Sequence, residues 1–138
     1  MEIQPSTDEI TSRRMSRQKT KDTGPEVELR RELRQLGVGY RIEYALPGMP
    51  RRRCDIAFIG AKVAVFVDGC FWHSCPSHTT VPSRNLQWWV AKLAANVARD
   101  RDTDSRLSVA GWMSIRVWEH EDMAAAAQRI AEAVRARR

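Results

Sequence analysis

The chain has 138 residues, with 23 Lys and Arg against 17 Asp and Glu, a formal charge of +6 and a hydrophobic content of 43%. That length suits one domain with its own core, and the hydrophobic content excludes disorder except at the start of the chain. No apolar run approaches a membrane span and nothing resembles a secretory leader, so a cytoplasmic protein is expected, and a pI near 9.8 points to a polyanionic partner without specifying one.

Residues 1–22 are mostly polar, with Arg13, Arg14, Arg17, Lys19 and Lys21, and Met15 stands as an apolar residue among these basic ones. This stretch reads either as a solvated tail or as a basic arm that closes on nucleic acid and offers Met15 as a wedge from the minor groove. Residues 23–138 are expected to form a single domain. Asp22-Thr23-Gly24-Pro25-Glu26 signals a helix start, with Pro25 suited to the first helical position. Leu29, Leu33 and Leu36 then define an inward stripe that Gly37 ends, and Glu26 falls on that stripe. Such a carboxylate either complements the helix dipole or reaches a catalytic centre at that helix end.

Three strands are expected next. Tyr40, Ile42, Tyr44 and Leu46 alternate with Arg41 and Glu43; a turn at Pro47-Gly48-Met49-Pro50 leads through Arg51-Arg52-Arg53 to a strand over 54–59. Gly60-Ala61-Lys62 connects to Val63-Ala64-Val65-Phe66-Val67, a fully buried run. Residues 85–110 have a helical pattern, with Leu86, Trp89 or Val90, Leu93 and Val97 on the apolar stripe and 99–104 as an exposed charged stretch. Met113, Ile115 and Val117 give a fourth strand ending at Trp118-Glu119-His120, and a last helix carries Met123, Ile130 and Val134 on one face. The order α-βββ-α-β-α predicts an α/β fold, a four-stranded mixed sheet flanked by helices.

The chemistry concentrates in Asp68-Gly69-Cys70-Phe71-Trp72-His73-Ser74-Cys75-Pro76-Ser77-His78, directly after the buried strand. Cys70, Cys75 and His78 are zinc-type ligands within one loop, and His120, the one histidine outside that loop, stands at the end of the fourth strand as a candidate for the fourth. The bland alternative makes Cys70 core and His78 surface. Three cysteines, two of them in this cluster, fit metal binding in a reducing compartment better than a disulfide framework. His73 is then free for proton transfer near neutral pH. Asp55 and Asp68 are expected to hold Mg²⁺ together, with Glu26 positioning the attacking water or holding the ion's water shell. Phe71, Trp72 and one of the adjacent pair Trp88 and Trp89 suit stacking on bases, although Trp88 and Trp89 read equally well as core.

At these residues the chain resembles the very short patch repair endonucleases. The marks are Met15, Asp22-Thr23-x-x-Glu26, Leu46-Pro47-Gly48 followed by an aspartate, Gly69-Cys70-Phe71-Trp72-His73, Asn96-x-x-Arg99-Asp100, and Gly111-Trp112 leading to Val117-Trp118-Glu119. The resemblance implies a restriction-endonuclease-like core, a structural zinc held by Cys70, Cys75, His78 and His120, and a magnesium site at Asp55 and the main-chain carbonyl of Val67. It implies His73 as general base, Glu26 as supporting acid, Phe71, Trp72 and Trp89 as intercalating aromatics, and Met15 entering from the minor groove. Two departures stand out. Val67 and Asp68 replace a threonine and a histidine of well-known members, and four residues, Arg51 to Cys54, separate Pro50 from Asp55 where a proline–aspartate pair is commoner.

The function these features imply is a monomeric, nucleoid-associated endonuclease of the bacterial cytoplasm. It would nick double-stranded DNA 5′ to the thymine of a T·G mismatch, with Mg²⁺ in catalysis and Zn²⁺ in structure. Mismatch-repair proteins and a cytosine methyltransferase are the partners implied by the resemblance. The alternatives are a nickase of the same fold with another lesion or a site-specific target, and a zinc-stabilised DNA-binding module without catalysis.

Overall fold

The computed structural model describes residues 23–70 and 81–138. Its elements are α1 (Gly24–Gln35), β1 (Arg41–Leu46), β2 (Met49–Phe58), β3 (Val63–Asp68), α2 (Leu86–Val109), β4 (Met113–Trp118) and α3 (Met123–Arg137). They form the expected mixed α/β arrangement, with one four-stranded sheet in the order β1-β2-β3-β4. The first three strands are an antiparallel meander, and β4 returns parallel to β3 after the α2 crossover. Among the described residues no helix is long and apolar enough to cross a membrane.

Local chemistry sets the boundaries. Thr23 caps α1, its side chain accepting the Glu26 N–H at 3.4 Å, with Pro25 in the first turn. Pro47 and Gly48 form a two-residue turn, with Gly48 at φ +73° and Leu46 paired to Met49. The segment Met49 to Arg53, expected as turn and approach, is therefore already strand. It stays extended because its arginines find partners: Arg52 donates to Asp102 at 2.7 Å and Thr103 at 2.9 Å, and Arg53 to the Glu43 carbonyl at 2.8 Å.

The sheet has a different core on each face. Leu29 and Leu33 of α1 and Ile130 and Val134 of α3 pack with Ile56, Phe58, Val63, Val65 and Val117. On the other face Leu107 of α2 packs with Leu46, Cys54, Ala57, Ala64 and Phe66. Truncating Leu29 or Leu33, both 0% exposed, to alanine would cost about 2–5 kcal/mol.

Cys54 and Ile56 lie two residues apart yet belong to opposite faces, whereas a regular strand keeps such residues on one face. The pairings Ile42 with Ile56 and Tyr44 with Cys54 retain one register. Both strands thus turn over together between these pairs, where Glu43 faces Asp55. Glu43 takes up the turn-over with φ +50°, a left-handed backbone unusual for a non-glycine residue.

Two expectations for α2 need correction. The charged stretch 99–104 is not a free surface: Thr103 is buried, and Asp100, Asp102 and Asp104 turn toward arginines of β2 and β4. Leu86, assigned to the apolar stripe, is half exposed, as is Val90, while Trp89 and Leu93 are buried. The helix meets the sheet-side cluster through Leu107, near its far end.

Candidate active site

Glu26, Glu43 and Asp55 present carboxylate oxygens within 4.8 Å of one another. Each is delivered by a different element. The capped first turn of α1 turns Glu26 inward, where it is buried with the Arg30 guanidinium 3.9 Å away. The turn-over of β1 and β2 supplies Glu43 and Asp55. The β2–β3 pairing ends at Ile56 and Val65, and beyond it the Asp55 carboxylate takes the place of a ladder partner, its Oδ2 accepting the Val67 N–H at 2.7 Å.

Burial pushes the Asp55 carboxyl up to about 7, the fields of Glu26, Glu43 and Asp68 add to that, and the Val67 N–H opposes it. Mutually repelling carboxylates at the edge of a core are costly without a cation. Hard oxygen donors of this kind suit Mg²⁺, so the donor set fits the ion that the sequence implies. Val67, whose carbonyl was the other expected donor, is the residue tied to Asp55.

Asp68 does not join this group. It points to the α2 face, as Phe66 does two residues before it, whereas Val67 between them packs against the α1–α3 core. There Arg116 donates to both Asp68 oxygens at 3.1 Å and binds Asp104 through Nε at 3.0 Å and Nη2 at 2.9 Å. Arg116 also lies 4.2 Å from the Phe66 ring centroid and 3.6 Å from Asp100. Burial works against the guanidinium charge, but the Asp104 hydrogen bonds and the fields of Asp68, Asp104 and Asp100 hold its pKa above the usual value. The expected sharing of one ion by Asp55 and Asp68 gives way to a guanidinium on one side of the sheet and Glu43 on the other. Strand alternation separates the two aspartates.

The zinc-type residues within the described chain do converge. Parallel pairing of Asp68 with Trp118 carries both strand ends to one place, where the Cys70 Sγ lies 3.1 Å from His120 Nδ1. The Glu119 carboxylate accepts the Cys70 N–H at 2.9 Å, and the Glu119 N–H donates to the Asp68 carbonyl at 3.0 Å. Tetrahedral zinc with ordinary Zn–S and Zn–N lengths would separate such atoms by about 3.5 Å, so the pair suits two of four ligands. Cys75 and His78 lie outside the described residues. So do His73, Phe71, Trp72, Met15, Arg13, Arg14, Arg17 and Lys19.

Of the adjacent tryptophans, Trp89 is 1% exposed and Trp88 is 54% exposed, their rings edge to face at 4.8 Å. The aromatic surface offered to solvent is Trp88, whereas Trp89 supports it from inside.

The family model described as DNA mismatch endonuclease Vsr matches residues 5–78. The chain belongs to the Vsr family. The type II nicking enzyme V.NaeI of Lentzea aerocolonigenes is 45% identical over 115 residues, covering 81% of this chain and 69% of that protein. The type II nicking enzyme V.NmeDIP of Neisseria meningitidis serogroup C is 35% identical, covering 88% and 83%. The DNA mismatch endonuclease Vsr of Escherichia coli strain K12 is 36% identical, covering 72% and 63%. Vsr membership makes the protein a DNA endonuclease, a hydrolase, and sets aside the binding module without catalysis.

Sequence reasoning singled out neither Glu43, which joins the acidic group, nor Arg116, which binds Asp68 on the other face of the sheet. Both read as the polar half of an alternating strand, and neither motif nor spacing distinguishes them.

Proposed function

We propose that this Vsr-family endonuclease nicks one strand of double-stranded DNA by Mg²⁺-dependent hydrolysis, on the 5′ side of the thymine in a T·G mismatch. The observation that carries the reading is the Glu26–Glu43–Asp55 group, with the Asp55 carboxyl pushed up to about 7. Asp55 and Glu43 would hold the ion together with the Val67 carbonyl, and Glu26 would hold its water shell. Bound Mg²⁺ polarises a phosphodiester and stabilises the leaving oxygen. His73 takes the proton from the attacking water, and Asp55 keeps the Val67 peptide in place through its second oxygen. Cys70, Cys75, His78 and His120 would close a structural zinc site that pins the loop after β3 to the end of β4.

On the DNA side, Phe71 and Trp72 serve as the stacking group at the mismatch, joined by the exposed Trp88 in the place expected of the buried Trp89, which supports it from inside. A wobble pair stacks poorly, so prying it open costs less than opening a Watson–Crick step. Residues 1–22 act as a basic arm, with Arg13, Arg14, Arg17 and Lys19 on phosphates and Met15 in the minor groove. The protein works as a monomer on chromosomal DNA in the cytoplasm, with mismatch-repair proteins and a cytosine methyltransferase as partners.

The test is nicking of a labelled duplex with one T·G mismatch against its T·A control, with and without Mg²⁺, for wild type and Asp55→Asn. A Mg²⁺-dependent cut confined to the thymine strand of the mismatch, lost in the variant, supports the reading. A second reading follows from the relatives named type II nicking enzymes: a nickase whose mismatch lies within a fixed recognition sequence. Varying the base pairs that flank the mismatch separates them, since only the second predicts cutting in one sequence context.

A further inference from the structure

We propose that Arg116 is a positioning residue for the Asp55 metal site, acting from the opposite face of the sheet through the two side chains that flank Val67. The inference rests on the reading of Asp55 and the Val67 carbonyl as metal donors.

Val67 is the peptide that both sides need. Its N–H is bound by Asp55 Oδ2, and no main-chain ladder to β2 reaches this far, since the pairing stops at Val65. On the β4 side Val67 pairs with Val117 in the parallel ladder. The parallel ladder and the Glu119 N–H on the Asp68 carbonyl hold the backbone of the β3 end, and one guanidinium grips the side chains of both residues 66 and 68. It lies 4.2 Å from the Phe66 ring centroid and donates twice to the Asp68 carboxylate at 3.1 Å. Its other edge is tied to α2, by bonds of 2.9–3.1 Å to Asp104 and one of 3.4 Å to the Asp100 carbonyl. The guanidinium therefore has a fixed plane and cannot swivel. Strand alternation then converts a hold on 66 and 68 into a position for the peptide of 67, whose side chain points the other way. Such a fork demands arginine, because a lysine ammonium keeps the charge but not the planar set of donors.

The experiment compares Arg116→Lys, Asp68→Asn and Asp102→Asn with wild type and Asp55→Asn. Asp102 lies on the same helix and pairs with Arg52 and Arg106, away from the Arg116 fork, so its variant controls for loosening of α2. Mn²⁺ binding to the DNA-free protein is followed by electron paramagnetic resonance. The Mg²⁺ concentration at half-maximal nicking is measured alongside, and folding is checked by near-ultraviolet circular dichroism. Arg116→Lys is expected to weaken Mn²⁺ binding about tenfold or more, the scale seen for outer-shell partners of a metal site. The half-saturating Mg²⁺ rises in step, and the nicking rate at saturating Mg²⁺ changes less. Asp68→Asn keeps one acceptor and shows the same split, more weakly. Asp102→Asn retains wild-type affinity.

Wild-type Mn²⁺ affinity in folded Arg116→Lys overturns the proposal, as does equal weakening in Asp102→Asn. If Arg116→Lys fails to fold, the near-isosteric Asp68→Asn decides by the same two outcomes. Failure of the underlying reading looks different: wild type and Asp55→Asn would then bind Mn²⁺ alike, and the positioning role would fall with it.

Discussion

Two acidic clusters sit back to back across the same strand ends, and they are held in opposite ways. On the α2 face Asp68, Asp100 and Asp104 surround Arg116, whose cation is built into the chain. On the α1 face Glu26, Glu43 and Asp55 crowd together, and burial with mutual repulsion lifts the Asp55 carboxyl to about 7. The first cluster has its cation bonded among the carboxylates, whereas the second has the Arg30 guanidinium only 3.9 Å from Glu26 and presents oxygens that could hold a metal ion. Counting carboxylates would not tell them apart. The position of one guanidinium does.

The comparison can be broken at either end. Asp55→Asn should reduce nicking by about a thousandfold or more, the scale of several kcal/mol of transition-state stabilisation. Fold and DNA affinity should survive, because an asparagine oxygen still accepts the Val67 N–H. Single-turnover nicking and a gel-shift titration check the two halves. Arg116→Met should do the reverse and strike stability first, by about 3–5 kcal/mol, since it strands carboxylates that were paired. Urea unfolding measures it.

The pH response should distinguish the clusters further. Asp55 has its pKa raised on folding, so between about 4 and about 7 the native state holds a proton that the unfolded state has released. Without added Mg²⁺, stability should therefore fall as pH rises through that window, and the loss should be complete above it. Mg²⁺ should restore stability most above pH 7, where it no longer competes with a proton. Urea midpoints between pH 4.5 and 8, with and without the ion, test the sign.

Glu43→Gln should weaken Mg²⁺ binding about tenfold, near 1.4 kcal/mol, and lower the apparent pKa of Asp55 by removing one of the fields that raise it. Calorimetric titration reads the affinity. The smallest effect lies outside both clusters. Thr23→Ala removes a cap whose hydrogen bond is long, 3.4 Å, and should cost about 0.5–1 kcal/mol in thermal unfolding.

Much of this architecture was legible in the residues. The α-βββ-α-β-α order, the inward Glu26 and the approach of Cys70 to His120 follow from periodicity and from where strands end. The pairing of Glu43 with Asp55 does not. Counting back from the Pro47-Gly48 turn sets Glu43 opposite Arg52; a register shift between Ala45 and Leu46 moves it to Asp55. Bulges of this kind leave no mark in composition. Arg116 was hidden for another reason. Its partners Asp100 and Asp104 belong to a charged run that reads as a solvated helix face, and only the tertiary approach of α2 to β4 turns that face inward.

Asp55 serves two neighbours at once: the backbone of the adjacent strand, which it holds through Oδ2, and the carboxylate group it shares with Glu26 and Glu43. On the proposed metal role its two oxygens have different tasks. That division leaves no graded route of substitution at position 55. Asparagine keeps the scaffold and forfeits the chemistry, alanine forfeits both, and glutamate, longer by one bond of about 1.5 Å, cannot keep both oxygens where they are. On that role, drift at this position is all or nothing: a copy of the gene that loses the aspartate would lose nicking in one step, and with asparagine it would leave behind a folded protein.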